Sequence, residues 1–329
     1  MKIAVVILNW NGKKLLEKFL PSIMAYSEDA NIYVADNAST DDSIQFLKTN
    51  YQNITILRNS INGGYAQGYN EALKKIDTDI FCLLNSDVEV TPNWLSAIKI
   101  AFKDDVRTSI VQPKILDFKD KSSFEYAGAA GGYIDKYGYP YCRGRIFNTI
   151  EKDKGQYDSN EPIFWASGAC LFIKKKVFGE LNGFDESFFA HMEEIDLCWR
   201  AYNLGYTAKF IPNSIIYHVG GATLQNTNPK KTYLNFRNSL YTLVKNAYGN
   251  LFMLVLTRLI LDGIACFKFL FELKFLHIYA ILKAHISFYM VLPKLLKKRK
   301  LLPKRPNYFQ NHSIVWQYYF KQKKQFHCL

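Results

Sequence analysis

The chain has 329 residues, of which 49% are hydrophobic and 16% aromatic. A chain of this length and composition buries at least one large core, which excludes an intrinsically disordered protein. Its six cysteines include no CxxC pair and fall mostly in apolar runs, so buried free thiols in a reducing compartment are expected.

The net charge of +13 is concentrated at the C-terminal end. Residues 251–329 hold 14 of the 42 Lys and Arg but 2 of the 29 Asp and Glu, a net charge of +12. The first 250 residues hold the other 28 basic and 27 acidic residues, a net charge of +1. This asymmetry indicates that the C-terminal region has a binding partner of its own.

The first half of the chain alternates short apolar runs with helical segments. Strands are predicted over residues 3–8, 32–35, 54–57, 80–84 and 109–112, and helices over 14–25, 43–50 and 65–76. The first run lacks a small-residue cleavage site, so it is interpreted as a buried strand and not as a signal peptide. This alternation predicts an α/β fold with an open, mostly parallel sheet and helices on both faces.

Residues 117–161 have a different composition, in which glycine, tyrosine and charged residues crowd together. Long loop regions of this kind often carry function, and a structural insertion explains the composition equally well. The sheet is expected to resume over 164–173. A helix is predicted over 193–204, ended by Gly205, and a last core strand over 207–211.

From about residue 246 the chain is predicted to be helical, aromatic and basic. Its longest uncharged apolar runs, 246–257 and 284–293, are shorter than the ~20 residues that a spanning helix needs. A polybasic cluster follows, made of Lys294, Lys297, Lys298, Arg299, Lys300, Lys304 and Arg305. Residues 246–329 are therefore predicted to attach in plane to an anionic membrane surface. The alternative is a helical packing domain with a solvated charged face. No motif supports a nucleic-acid partner.

Several carboxylates and one histidine follow predicted strands or begin a predicted helix, positions at which catalytic groups can meet. Asp36 and Asp87 follow predicted strands, at the edge where an open α/β sheet binds ligands. Together with Glu193, Glu194 and His218, they supply what a metal-assisted transfer from a phosphorylated donor requires. The turn at 62–70 directs backbone N–H groups towards phosphate or sugar. The segment after the first strand is NWNG and not GxGxxG, so a nicotinamide cofactor is not expected.

Several motifs in the order found here resemble those of the family-2 glycosyltransferases. They are NWNG at 9–12, ADNASTD at 35–41, NGGYAQGYN at 62–70, LNSD at 84–87, GFDE at 183–186, EEIDL at 193–197 and the segment around His218. The matched part is residues 1–245, and the branch it resembles is the bacterial rhamnosyltransferase-like and galactofuranosyltransferase-like one. The resemblance implies a GT-A fold, that of nucleotide-diphospho-sugar transferases, and an inverting transfer.

The resemblance also implies roles for individual residues. Glu194 matches the general base that takes the proton of the acceptor hydroxyl, and Glu193 would orient the acceptor or the helix. Asp87 stands where the metal-binding DxD motif ends, but Asn85 replaces its first aspartate. His218 matches a metal ligand of the galactofuranosyl branch. A divalent cation, Mg²⁺ or Mn²⁺, is the implied cofactor.

Further residues are expected to bind substrate, and several of them have an alternative explanation. Asp36 either contacts the nucleotide or caps the following helix, and Glu193 either orients the acceptor or belongs to a simple acidic first turn. Trp165 either stacks on a sugar face or belongs to the core, and Asp185 either binds the acceptor or forms a turn with Gly183. Gly220 and Gly221 are expected to let the loop before Lys230 and Lys231 close over the diphosphate. The complete substrate-binding set is Asn9, Asp36, Asn62, Gly64, Asn70, Asn85, Trp165, Asp185 and Glu193.

The sequence as a whole predicts an inverting, metal-dependent hexosyl- or deoxyhexosyltransferase. It is expected to be peripheral on the cytoplasmic face of a bacterial membrane and to use a nucleotide-sugar donor and a sugar or lipid-linked sugar acceptor. Surface polysaccharide or lipid-linked oligosaccharide assembly is the expected setting, and the lack of a QxxRW motif favours the addition of one or a few sugars. The alternatives are a sugar-phosphate nucleotidyltransferase and a membrane-bound scaffold whose site has decayed, the latter suggested by Asn85.

Overall fold

The computed structural model of the protein describes residues 1–220 and 228–329. The strands in these two ranges are β1 (Ile3–Asn9), β2 (Asn31–Asp36), β3 (Thr55–Arg58), β4 (Ile80–Asn85), β5 (Val88–Val90), β6 (Thr108–Asp117), β7 (Gly132–Ile134), β8 (Pro140–Cys142), β9 (Arg145–Ile146), β10 (Thr149–Ile150), β11 (Glu161–Ile163), β12 (Cys170–Lys174) and β13 (Thr207–His218). The helices are α1 (Lys13–Tyr26), α2 (Ser43–Asn50), α3 (Gly64–Leu73), α4 (Trp94–Asp104), α5 (Lys175–Glu180), α6 (Glu193–Asn203), α7 (Pro229–Asn246), α8 (Leu251–Phe271) and α9 (Phe275–Arg299).

The main sheet confirms the predicted α/β class. Its order is β11-β13-β6-β12-β4-β1-β2-β3, with β5 paired to β13. The strands from β4 to β3 run parallel, and β13 runs parallel to β6. Strand β12 lies antiparallel between β4 and β6. The carboxyl ends of β1, β2, β4 and β13 therefore meet along one edge of the sheet.

Strand β1 shows why both faces of this sheet are covered. Ala4 and Val6 belong to one buried cluster, while Val5 and Ile7 belong to a second cluster on the opposite face. Successive side chains of a strand point to opposite faces, so a continuous apolar run needs cover on each side. Helices α1, α2 and α4 supply one cover, and α3, α5 and α6 supply the other.

Three segments differ from the sequence prediction. Strand β13 continues to His218, seven residues beyond the predicted end at 211, because its second half pairs with β5 as well as β6. Strand β12 starts only at Cys170, and the residues before it form turns. The segment 117–161 forms an antiparallel sheet of β7 to β10 that packs beside the main sheet.

The C-terminal helices pack against the body of the protein on one side only. Helix α9 lies along α7 and buries Ile281, Ala284 and Phe288. Among the described residues, α9 is the one helix long and apolar enough to cross a membrane by length and composition. The sequence analysis missed it, because Lys283 divides its apolar runs. Residues 302–329 return to the small sheet, where the Ile314 N–H donates to Asp135 Oδ2.

Candidate active site

The central pair of the candidate site comes from two strand ends. His218, the last residue of β13, lies with its Nε2 3.1 Å from Asp87 Oδ1. Asn85, the last residue of β4, has its Nδ2 3.4 Å from the same Nε2. Strand pairing brings Asp87 and His218 together, because His218 pairs with Val88 of β5, the residue that follows Asp87. Sequence motifs that are far apart in the chain thus meet at the predicted edge of the sheet.

Glu125 is a functional candidate that the sequence analysis missed. Its Oε1 lies 3.4 Å from His218 Nδ1, so the imidazole sits between two carboxylates. Burial alone would lower the pKa of His218, but Glu125 and Asp87 outweigh it and raise that pKa to about 10. The one available signal was the unusual composition of the segment 117–161, which contains Glu125 but does not indicate its partner.

A steric constraint explains why position 220, two residues after His218, is a glycine. Gly220 has a φ of +66°, and a Cβ there would lie 2.8 Å from Glu125 Oε1. A larger residue would therefore disturb the carboxylate that contacts His218. Gly221, the second residue of the predicted loop hinge, lies outside the described residues.

The first turn of α6 presents the predicted base. Glu193 is buried and Glu194 is partly buried. The Oε2 atom of each accepts no hydrogen bond within the described part of the chain. Burial raises the pKa of Glu194 to about 7, and burial together with the neighbouring Glu194 raises the pKa of Glu193. The N-terminus of a helix favours the ionised form of a carboxyl, but desolvation is the larger effect here.

The turn that leads into α6 is strained and held from α7. His191 and Met192 adopt φ values of +69° and +74°, a left-handed conformation that is unfavourable for residues with a side chain. The Nδ2 of Asn238 donates to the carbonyls of Ala190 and His191 at 2.9 and 2.7 Å. Strain of this kind persists only where surrounding contacts determine it, and it fixes the direction in which α6 starts.

Two further cations belong to the same neighbourhood. Arg145 is buried, donates from Nε to Tyr126 O and feels the charge of Glu125. Burial lowers the pKa of Lys231, while Glu125 acts to raise it and Arg145 to lower it, so Lys231 also lies near this carboxylate. Burial raises the pKa of the Cys142 thiol to about 11, and Glu125 and Glu194 both act on it in that direction. Arg145 and Lys231 thus contribute positive charge near Glu125.

At the other end of the site edge, Asn9 and Asp36 are fully buried. The Asp36 carboxylate accepts from Asn9 Nδ2 at 3.2 Å and from the Ser39 N–H at 3.0 Å. These bonds order the loop after β2. A cleft lined by Asn11, Gly12 and Asp41 opens at the ends of β1 and β2. Asn9 and Asp36 lie behind this cleft and hold Ser39, whose Oγ also accepts from the N–H of the lining residue Asn11.

The glycine turn before α3 meets the segment before α6. Gly64 has a φ of +77°, and a Cβ there would lie 2.3 Å from Phe189 O. Asn62 Oδ1 accepts hydrogen bonds from the Gly64 N–H and from Asn37 Nδ2. Asn62 and Gly64 thus bring the start of α3 into contact with the segment that precedes the predicted base.

Three predicted substrate residues have structural contacts. Asn70 holds both backbone polar groups of Phe184. Asp185 forms a turn with Ser187, and lysines of α7 and α9, Lys245 and Lys298, bind its two oxygens. Trp165 is 3% exposed, donates to Tyr133 O and lies against Gly132, so it occupies the core position that the sequence left open as an alternative.

Comparison with known proteins identifies the class. The chain belongs to glycosyl transferase family 2, whose sequence pattern matches residues 4–181, more than half of its length. The N-acetylglucosaminyl-diphospho-decaprenol L-rhamnosyltransferase of Mycobacterium tuberculosis is 27% identical over 231 residues, covering 65% of this chain and 75% of that protein. The rhamnosyltransferase WbbL of Escherichia coli K12 is 24% identical over 217 residues, covering 63% and 80%. The chain is thus a glycosyltransferase similar to rhamnosyltransferases.

Solved structures of glycosyltransferases share the fold. GalNAc-T7, crystallised with UDP, GalNAc and Mn²⁺, superimposes with a TM-score of 0.57 at 16% identity and covers 75% of this chain, which spans 48% of that one. The mannosyltransferase PcManGT of Pyrobaculum calidifontis, in complex with GDP-Man and Mn²⁺, gives a TM-score of 0.54 at 13% identity, with coverages of 89% and 75%. These likenesses establish the GT-A fold predicted from the motifs.

The residues present fit a divalent cation bound partly by substrate. Asp87 provides an oxygen donor on one edge of the sheet, and His218 provides a nitrogen donor beside it once cation binding displaces the imidazole proton. Within the described ranges, no group of three or more His, Cys, Asp or Glu side chains is arranged to hold a metal ion. Mg²⁺ is commonly bound by one or two carboxylates plus substrate phosphates, so two protein donors suit such a site. Glu89, two residues after Asp87, pairs with Lys121.

Proposed function

We propose that the protein is an inverting glycosyltransferase in which Glu194 is the general base. The observation that carries the proposal is the position of Glu194 in the first turn of α6, where its buried Oε2 has no hydrogen-bond donor within the described residues. A base works best when its pKa lies near the operating pH, and burial raises the pKa of Glu194 to about 7. Glu194 therefore accepts the proton of the acceptor hydroxyl as that oxygen attacks the anomeric carbon.

The departing nucleoside diphosphate leaves towards the opposite side of the site. Asp87 and His218 are the residues that would hold a divalent cation, which when bound neutralises charge on the diphosphate. Arg145 and Lys231 supply positive charge from the protein beside Glu125. Fixed charges of this kind stabilise developing negative charge without having to reorganise during the reaction.

The donor nucleotide binds at the ends of β1 and β2. Asn9 and Asp36 order the wall of the cleft there, and Asn85 stands between that cleft and His218. Asn62 and Gly64 place the start of α3 against the segment before α6, where the donor sugar lies beside Glu193 and Glu194. Asn70 and Asp185 support this wall from behind.

Helices α8 and α9 attach the enzyme to a membrane in plane. Large apolar side chains on their outer side are exposed, among them Phe252, Ile260, Phe267, Phe271, Phe275, Leu276, Leu282, Ile286 and Met290. We call this surface the α8–α9 face. An exposed apolar area of this extent typically marks a membrane or protein interface. The inner side of α9 packs on α7, which favours a helix lying in the surface over one that crosses it.

The basic residues at the end of α9 match an anionic membrane. Lys294, Lys297 and Lys300 are exposed, and each basic residue near such a surface contributes about 1 kcal/mol. The location we propose on this basis is the cytoplasmic face of a bacterial membrane, where nucleotide-sugars are available. A lipid-linked sugar is then the acceptor, in surface polysaccharide or lipid-linked oligosaccharide assembly.

A panel of nucleotide-sugars tests the function. Purified protein is incubated with each donor, with Mn²⁺, Mg²⁺ or EDTA, and with membrane lipid extract, and the released nucleoside diphosphate and glycosylated lipid are measured. Metal-dependent transfer from one donor with inversion at the anomeric carbon is the expected result. In a parallel incubation with a nucleoside triphosphate and a sugar 1-phosphate, formation of a nucleotide-sugar with release of pyrophosphate would indicate a nucleotidyltransferase. The lack of any transfer or hydrolysis would favour the decayed scaffold.

A further inference from the structure

A group of side chains from α7 and α9 lies between the active-site wall and the α8–α9 face. Arg237 Nη1 lies 3.4 Å from Tyr233 Oη, and the Lys283 ammonium lies 5.4 Å from the centre of the Tyr233 ring. The Tyr233 hydroxyl also lies 2.9 Å from Ser287 Oγ. We call Tyr233, Arg237, Lys283 and Ser287 the Arg237 cluster.

The guanidinium of Arg237 is fixed in place. It lies 5.2 and 5.3 Å from the ring centres of Tyr233 and Tyr241, and its Nε donates to Asn238 Oδ1 at 2.8 Å. Stacking and hydrogen bonding hold the planar fork in one orientation, so less entropy is lost when it binds a ligand. This arginine is organised before any ligand binds.

The cluster has an excess of positive charge. Within residues 1–220 and 228–329, neither Arg237 nor Lys283 forms an ion pair with a carboxylate, whereas Lys245 of the same helix α7 binds both Asp185 and Asp196. Burial would raise the pKa of Tyr233, but its hydrogen bonds and the charges of Arg237 and Lys283 lower it. The cluster therefore offers two cations and a hydroxyl that no carboxylate neutralises within the described residues. Such a set of groups can bind an anionic group of a substrate.

The two neighbours of the cluster suggest which substrate this is. Arg237 Nη2 lies 3.4 Å from Ser187 O, and the adjacent Asn238 binds the carbonyls of Ala190 and His191, immediately before the α6 turn that carries Glu194. On the other side, Tyr279 and Ile286 lie four residues before and three after Lys283 on α9, and both are exposed members of the apolar surface.

We infer that Arg237, Lys283 and Tyr233 bind the phosphate or diphosphate of a lipid-linked acceptor. The lipid chain would lie along the α8–α9 face, and the acceptor sugar would reach Glu194 across the 187–191 segment. The inference rests on the proposed function and deepens it, because it names the charged group of the lipid-linked acceptor and the residues that recognise this group. Arginine suits this role, since its fork binds phosphate oxygens in pairs.

Vesicle binding of the full-length protein tests this inference without a donor or turnover. Phosphatidylcholine vesicles carry either polyprenyl diphosphate or phosphatidylglycerol at the same total charge. We expect the unmodified protein to bind the polyprenyl diphosphate vesicles more tightly. The Arg237→Gln and Lys283→Gln variants should each lose roughly tenfold of that affinity and none of the affinity for phosphatidylglycerol. The matched control Lys294→Gln removes an exposed lysine of α9 outside the cluster and should weaken both equally.

Several results would overturn the inference. An equal loss on both vesicle types would make the cluster part of the general membrane charge, and a retained preference would place the lipid phosphate elsewhere. Inorganic diphosphate and soluble polyprenyl diphosphate can each be added as a competitor for the vesicles. If both release the protein at the same concentration, the cluster is a site for free phosphate. Arg237→Lys, which keeps the charge, should lose less affinity than Arg237→Gln, and unchanged thermal unfolding of each variant separates binding from folding. If the proposed function is wrong and this inference is right, the donor panel will show no turnover, but the protein will still prefer the polyprenyl diphosphate vesicles.

Discussion

His218 Nε2 lies 3.1 Å from Asp87 Oδ1, although 131 residues separate the two in the chain. The contact exists because β13 runs past its predicted end and pairs with β5, which follows directly after Asp87. An acidic residue at the end of an early strand and a histidine at the end of the last strand thus form one charged centre. The proposed site is assembled around that pair, with Glu125 on the other side of the imidazole.

The first prediction concerns the base. Glu194→Gln keeps the shape of the side chain but cannot accept a proton, so turnover should fall by about 10²–10⁴-fold while donor binding persists. Turnover with the donor found in the panel and a thermal shift with its nucleoside diphosphate measure the two effects. Glu28→Gln, which changes an exposed glutamate in the turn after α1, is the control. Near-normal turnover of Glu194→Gln would show that another group takes the proton.

The pH dependence follows from the same carboxyl. Burial raises the pKa of Glu194 to about 7, so the ionised fraction and turnover should rise as pH increases towards 7 and level off above it. A rate profile that is flat from pH 5 to 8 would contradict the assignment of the base.

Stability should change with pH in the opposite direction. The folded protein holds the Glu194 proton more tightly than the unfolded chain, where the pKa is near 4.5. The resulting stabilisation is fully present below pH 4.5 and is lost as pH rises through about 7. Denaturant titrations at several pH values should show that the free energy of unfolding of Glu194→Gln declines less over this interval than that of the unmodified protein. Equal declines would mean that Glu194 is not the group responsible.

Asp87 should control metal and donor binding together. A nucleoside diphosphate present at a hundred times its Kd adds ~2.7 kcal/mol to the stability of the folded protein. We expect Mn²⁺ to enhance this stabilisation in the unmodified protein and to do so far less in Asp87→Asn. Glu89→Gln is the control, because Glu89 is two residues away but pairs with Lys121. A metal effect that is the same in Asp87→Asn would exclude Asp87 as a ligand.

Gly64 should be required by the backbone as well as by space. Alanine at a left-handed position costs ~1–2 kcal/mol, and its Cβ would lie 2.3 Å from Phe189 O. Gly64→Ala should therefore lower the free energy of unfolding by at least this amount in urea titrations. Gly179→Ala places a Cβ in open space within α5 and should stabilise by about 0.5–1 kcal/mol. Equal effects of the two changes would refute the steric argument.

The α8–α9 face should bind membranes through apolar burial. Phe267 and Phe271 are 64% and 86% exposed, and burying such a side chain contributes about 1.5–3 kcal/mol. Phe267→Ser and Phe271→Ser should each weaken binding to anionic vesicles by roughly tenfold in flotation assays. Val106→Ser, at an equally exposed position in the turn between α4 and β6, should have no effect. Binding that is insensitive to both Phe changes would mean that another surface contacts the membrane.

The prediction of the fold succeeded where the pattern was local. The buried runs of β1, β2 and β4 and the helices between them follow from alternating apolar segments, and Gly205 ends α6 with a φ of +93° as expected. The prediction failed where partners lie far away in the chain. Strand β13 was predicted too short because its last residues become a strand only by pairing with β5.

The candidate site shows the same division. By itself, the sequence determined that Asp36 and Asp87 come at or just after the ends of strands β2 and β4 and that α6 has an acidic start, because these strand ends and helix starts are set by neighbouring residues. That His218 ends a strand was decided by the pairing of β13 with β5. Only the tertiary structure decided that Glu125 contacts His218, that Trp165 belongs to the core and that Arg237 and Lys283 lie together. Those facts depend on register and on the packing of helices, since contacts between distant segments leave no local pattern in the chain.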